Sequence, residues 1–105
     1  MTELEEAKEV LSLDRYAMKT SGIDILEVGE KYAKCIMNVD ERHFNVAGTV
    51  MGGAIFTLAD FCFAVASNFK QAHAVSVNSS INFLLPGIGK YLTAESEIVK
   101  DGKSI

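Results

Sequence analysis

Thr2 stands three residues before Glu5, and Leu4, Ala7, Val10 and Leu11 follow at helical spacing. This pairing is the signature of a capping box opening an amphipathic helix, predicted to run to about Leu13. A second short turn is expected over Asp14 to Met18 before Ser21-Gly22 interrupts it. From Ile23 the period shortens to two. Ile23-Asp24-Ile25-Leu26-Glu27-Val28 reads as a strand entering a hairpin turn at Gly29-Glu30. The return run, Tyr32 to Val39, alternates Ala33, Cys35, Met37 and Val39 against Lys34, Ile36 and Asn38. A polar loop follows from Asp40 to Thr49, carrying His43, Asn45 and Gly48.

The stretch from Met51 to Phe69 then holds a single charge, Asp60. A membrane-spanning helix needs about 20 mostly apolar residues. A carboxylate at its centre costs roughly 2.5–3.5 kcal/mol on insertion scales, and Gly52, Gly53, Thr57, Ser67 and Asn68 dilute the run further. It therefore reads as a buried helix of a soluble protein. Because it is apolar on nearly all sides, most of its surface should be covered, as by a curved sheet wrapped around it.

After Lys70-Gln71 the period returns to two, with Val75, Val77, Ser79, Ile81, Phe83 and Leu85 on one face and Ser76, Asn78, Ser80 and Asn82 on the other. Pro86-Gly87 with Gly89 predicts a turn, Tyr91 to Val99 a further strand, and Asp101-Gly102 another turn. Only Lys103, Ser104 and Ile105 follow that turn. A paired segment is expected after it, so the chain reads as incomplete at its C-terminal end. One domain over residues 1–105, of the α+β class with an antiparallel sheet, accounts for this order of elements.

Composition narrows the function classes. A net charge of −4 argues against nucleic acid as partner, since phosphate binding needs a basic face. The cluster Glu3, Glu5 and Glu6 is read as a solvated helix face. Two cysteines, Cys35 and Cys62, are too few for a disulfide framework or a zinc site, and each sits in an apolar run as a small buried hydrophobe. The acidic, polar start is not a secretory signal, so a cytoplasmic setting without a membrane partner is expected.

Two features carry candidate chemistry. Val50-Met51-Gly52-Gly53 opens the apolar helix, and the first N–H groups of a helix lack internal partners and sit at its positive end. Glycine lets a ligand approach them, so this terminus could hold a phosphate or polarise a carbonyl during acyl transfer. Asp60 is the second. On the residues alone it is either a buried carboxylate satisfied by a cap or hydroxyl, or a cleft carboxylate that activates water or attacks an acyl carbon. It lies eight residues beyond Gly52, about 12 Å along one helix. One helix cannot bring its own carboxylate to a carbonyl at its own N-terminus, whereas two antiparallel helices of a two-fold dimer can.

The run HFNVAGTVMGGAIFTLADFCFAVASN resembles the signature of PaaI-like thioesterases within the 4-hydroxybenzoyl-CoA thioesterase superfamily. DRYAMKTSGIDILEVGEKYAKCIMNV and AVSVNSSINFLLPG are also similar to that family, so the likeness spans nearly the whole chain. It implies a hotdog fold, an antiparallel sheet wrapped around a central helix at about residues 51–69 behind an N-terminal helix. It also implies a homodimer or homotetramer hydrolysing an acyl-CoA thioester without metal or cofactor. By the same resemblance, Gly52 supplies the N–H that polarises the thioester carbonyl, Asp60 of the opposing subunit is general base or nucleophile, and Asn45 helps hold the water or thioester. Ser76 is a weaker auxiliary, and Met51 and Gly53 line the substrate site. Met51 replaces a histidine usual in the family, and two further strands usual after this point are missing, which would leave central sheet edges unpaired unless the sheet rearranges.

Other candidates read as ordinary. His43 and His73 are expected to be exposed and without a role; Phe56, Phe61, Phe63 and Phe69 to be mainly core; Arg42, Lys70, Lys90 and Lys100 to be solvated. No Walker-type loop, serine elbow or metal-ligand cluster occurs. Two rival functions stand beside acyl-CoA hydrolysis. A non-catalytic acyl-CoA-binding or scaffold protein of the same fold is favoured by Met51, and a hotdog dehydratase is disfavoured because neither histidine falls on the central helix.

Overall fold

The computed structural model describes residues 2–68, 76–84 and 90–100. Helix α1 spans Glu3–Leu11, opened by the expected capping box: Thr2 Oγ1 accepts from Glu5 N–H at 3.1 Å, and Glu5 Oε1 accepts from Thr2 N–H at 2.8 Å. It ends two residues earlier than its pattern predicts. The following turn is π-helical over Tyr16–Thr20. Strand β1 covers Ile23–Gly29 and β2 Tyr32–Asn38. Between them the hairpin loop is Glu30-Lys31 rather than Gly29-Glu30, and it is Lys31 that takes the positive φ, 62°. A 3-10 turn over Glu41–His43 precedes helix α2, Gly52–Asn68. Strands β3, Ser76–Leu84, and β4, Tyr91–Lys100, complete the described chain.

The sheet is antiparallel throughout, in the order β1-β2-β4-β3. Strand β4 is therefore hydrogen-bonded along both edges. Leu26 is an extra residue in β1: the register passes from Ile25↔Cys35 to Glu27↔Lys34 around it. A bulge of this kind bends the strand and increases its twist, and it leaves Leu26 exposed while Ile23 and Ile25 stay buried.

The sequence alternation maps onto the core. Ala33, Cys35 and Met37 of β2 point inward with Ile23 and Ile25 of β1 and Leu92 and Ala94 of β4. Helix α2 covers this face with Leu58, Phe61, Cys62 and Val65, all buried. Burying each large aliphatic or aromatic side chain stabilises the fold by roughly 1.5–3 kcal/mol. Both cysteines are core residues, as read. Cys62 Sγ lies within 3.4 Å of Ala33 O and 3.3 Å of Ala94 O, and the hydrogen bond of the Cys35 thiol to Cys62, together with burial, pushes that thiol up. No described helix is long and apolar enough to cross a membrane.

Only one face of α2 is covered. The expectation that most of its surface would be is corrected: Phe56 is 72% exposed and Phe63 38%, against 1% for Phe61. A four-stranded sheet of one chain reaches only one side of a straight helix. Phe69, His73, Lys70-Gln71, the Pro86-Gly87 turn and the Asp101-Gly102 turn lie outside the described residues, as does the side-chain alternation expected along β3.

Candidate functional site

The loop between β2 and α2 folds back on itself before the helix starts. Phe44 and Val50 form an antiparallel bridge. On one side of it Met51 N–H donates to His43 O at 2.8 Å, and on the other Asn45 N–H donates to Thr49 O at 2.8 Å. The Asn45 side chain closes the tip. Its Oδ1 accepts from Ala47 N–H at 2.9 Å and Thr49 N–H at 3.1 Å, and its Nδ2 donates to Thr49 Oγ1 at 2.9 Å. Asparagine suits this place because its short amide reproduces the hydrogen bonding of a backbone turn. Gly48, at φ +84°, supplies the left-handed residue the tip requires.

His43 forms the root of this loop and is only 4% exposed. Its Nδ1 accepts from Asp40 N–H at 3.0 Å. With Nδ1 as acceptor, Nε2 is the N–H that donates to Ser21 O at 2.7 Å. The reading of His43 as an exposed residue without a role is thus corrected: buried backbone groups need partners, and this ring satisfies two. Arg42 is not simply solvated either. Its Nη1 donates to Thr20 O at 2.9 Å and its Nε to Asp40 Oδ1 at 3.1 Å. Gly22, at φ +75°, lies beneath it, and a Cβ there would collide with the guanidinium.

Helix α2 starts immediately after. Met51 O accepts from Ala54 N–H at 2.9 Å and Ile55 N–H at 3.3 Å. The N–H groups of Gly52 and Gly53 precede any intrahelical acceptor, and no described residue supplies one. Neither glycine has a positive φ. A Cβ on Gly52 would meet nothing within 4 Å, and one on Gly53 only Met51 Cγ at 4.0 Å. Glycine costs about 1 kcal/mol relative to alanine in a helix interior, yet no described residue calls for it here.

Asp60 follows two turns later on the same open stripe, between Phe56 and Phe63, and is exposed. The carboxylate is thus not buried and satisfied within the single chain. The structure brings Asn45, Met51, Gly52 and Gly53 together at the loop–helix junction. It leaves Asp60 about 12 Å along the axis. Ser76 is the first residue of β3, paired with Lys100 of β4. The role of His43 escaped sequence reading because its partners, Ser21 O and Asp40 N–H, are backbone atoms that no motif records.

Comparison with known proteins follows the same lines. The pattern of the thioesterase superfamily matches residues 47–105, more than half of the chain. The acyl-coenzyme A thioesterase PaaI of Escherichia coli is 38% identical over 86 residues, covering 81% of this chain and 61% of that protein. Acyl-coenzyme A thioesterase 13 of Mus musculus is 35% identical over 74 residues, covering 68% of this chain and 53% of its own. A putative esterase of Archaeoglobus fulgidus is 42% identical over 79 residues, covering 74% and 51%. The chain thus spans about half to three fifths of the length of these curated relatives. The solved structure of E. coli PaaI superposes with a TM-score of 0.68 at 31% identity, covering 96% of this chain and 78% of that one. The thioesterase HI1161 of Haemophilus influenzae matches in fold, with a TM-score of 0.70 at 24% identity over 98% of this chain and 73% of that one.

Proposed function

The chain belongs to the thioesterase superfamily and has its hotdog fold, and from that premise we propose that it hydrolyses an acyl-CoA thioester to a free acid and coenzyme A, at a site shared between two copies. The observation that carries this reading is the open stripe of α2. A bare Gly52–Gly53 terminus and an exposed Asp60 lie on one helix, too far apart to meet on one substrate, with Phe56 and Phe63 uncovered around the carboxylate. A second α2 packed antiparallel across a two-fold axis brings each terminus to the other's Asp60 and covers both phenylalanines.

In this arrangement the thioester carbonyl sits against the N–H of Gly52, where the helix dipole stabilises the oxyanion as it forms. Asp60 of the second copy takes the proton of an attacking water, or itself attacks the carbonyl carbon. Collapse of the tetrahedral adduct expels the coenzyme A thiolate; where Asp60 was the nucleophile, water then cleaves the resulting Asp60–acyl anhydride to the free acid. Asn45 holds the loop that presents this terminus and borders the thioester; Met51 and Gly53 line the entry, and Ser76 assists from β3. The acyl-CoA substrate is supported by the relatives PaaI and acyl-coenzyme A thioesterase 13. Free, buried Cys35 and Cys62 suit a reducing compartment such as the cytoplasm.

The test is thiol release from a panel of acyl-CoAs by the purified chain and its Asp60→Asn variant. Removing the base should lower kcat about 10²- to 10⁴-fold. Because Met51 stands where the family usually has a histidine, binding without turnover is the second reading. Acyl-CoA bound stoichiometrically by a folded dimer that releases no thiol would establish it instead.

A further inference from the structure

We propose that His43 is a positioning residue: without touching substrate, it sets the N-terminus of α2 and the Asn45 loop in the geometry the reaction needs. This rests on the reading of the site given above. The basis is the number of fixed points that converge on one residue. The ring bridges Ser21 O, at the end of the π-helical turn, and Asp40 N–H, at the start of the 3-10 turn. The His43 carbonyl receives Met51 N–H, the last amide before the glycines, and Met51 O in turn anchors the first helical turn through Ala54 and Ile55. The His43 N–H donates to Asp40 O at 3.0 Å.

Beyond His43 the loop is held mainly by itself. Val46, Ala47, Gly48 and Thr49 are exposed, and Asn45 bonds only within the loop. Beside Arg42 on Thr20 O and Val50 against the core, the buried ring is therefore a pin that ties a protruding hairpin, and the helix terminus behind it, to the body of the fold. A hydrophobic residue of similar volume would fill the space but leave Ser21 O and Asp40 N–H unpartnered. The hairpin would then pivot about Phe44 and Val50 and carry Gly52 with it.

The experiment compares the parent chain with His43→Leu, His43→Asn, His43→Gln and Asp60→Asn, by acyl-CoA kinetics and by NMR amide exchange at Asn45 and Met51. Asparagine keeps an acceptor near the Nδ1 position and glutamine a donor near Nε2. His43→Leu should lower kcat about 10- to 100-fold with KM within about twofold, as for a sub-ångström to ångström misplacement of reacting groups. Either amide variant should recover part of that loss. Exchange at Asn45 and Met51 should accelerate in His43→Leu and be restored in step with kcat. If His43→Leu does not fold, the two amide variants carry the comparison with the parent.

Retention of parental kcat, or of parental exchange, in the leucine variant overturns the proposal. So does a loss of kcat in all three variants with exchange unchanged, which would make the ring a catalytic group. A parental rate in Asp60→Asn would instead sink the thioesterase mechanism, and the exchange data would still decide whether His43 pins the loop.

Discussion

Helix α2 has two faces of nearly equal hydrophobicity and opposite fates. Leu58, Phe61, Cys62 and Val65 are buried against the sheet, while Phe56, Asp60 and Phe63 stand open beside Gly52 and Gly53. Everything on the first face is explained by the chain's own core. No described residue accounts for the second: two glycines without a positive φ, two uncovered aromatic rings and a carboxylate between them. In the arrangement proposed above these are the groups that meet the second copy and the thioester. On that proposal the two faces separate stability from function along one helix.

Substitutions can test that separation. The largest effect belongs to the buried face. Phe61→Ala should destabilise the fold by about 3–5 kcal/mol through lost transfer energy and a residual cavity, measured by urea denaturation of the isolated chain. Equal losses at Phe61 and at an open-face position would erase the distinction.

Gly52→Ala sharpens it from the other side. The added methyl enters open space within the chain, so stability should hold or rise by up to about 1 kcal/mol. Thiol release should nonetheless fall at least about tenfold, because the methyl occupies the approach to the oxyanion donor. A variant both as stable and as active as the parent would remove the terminus from the mechanism.

Phe56→Ala should change the unfolding energy of a monomer by no more than about 0.5 kcal/mol, as for other exposed positions. Its consequence should appear in assembly, as a weaker dimer in sedimentation over a dilution series. An unchanged dimer would place the interface elsewhere.

The smallest effect is electrostatic and lies behind the open face, at the loop root. Partial desolvation works against ionisation of Asp40. The Arg42 backbone N–H, the Arg42 charge and His43 outweigh it and hold the carboxyl below its ordinary 3.8. A depressed carboxyl contributes stability above its unfolded value and loses it as pH falls through the folded one. Thermal unfolding should therefore show a shallow acid loss below about pH 3.8 that Asp40→Asn flattens. An identical pH slope in both proteins would show that Asp40 contributes only its cap to Arg42 N–H.

Much of this architecture was legible in the residue order, because the interactions that set it are local. The Thr2–Glu5 box, the period-two runs of β1 and β2 and the apolar run of α2 each depend on neighbours a few positions away. The helix's Gly-Gly opening and its lone Asp60 were legible as candidate chemistry for the same reason. The hairpin turn was misplaced by one residue because Lys31 accepts a positive φ that the pattern assigned to glycine's neighbourhood.

The rest was decided by contacts distant in sequence. Which face of α2 lies open follows from where β1, β2 and β4 end up, since a helix apolar all round carries no mark of the side to be covered. Asn45 turned inward upon its own loop because Ala47 and Thr49 offered donors at hydrogen-bonding distance. His43, a polar residue in a polar loop, became a buried tie because Ser21 O, twenty-two positions away, needed a donor once the fold had removed water from it. Local periodicity states what an element is. Only the assembled chain decides which of its groups are satisfied and which remain free to act.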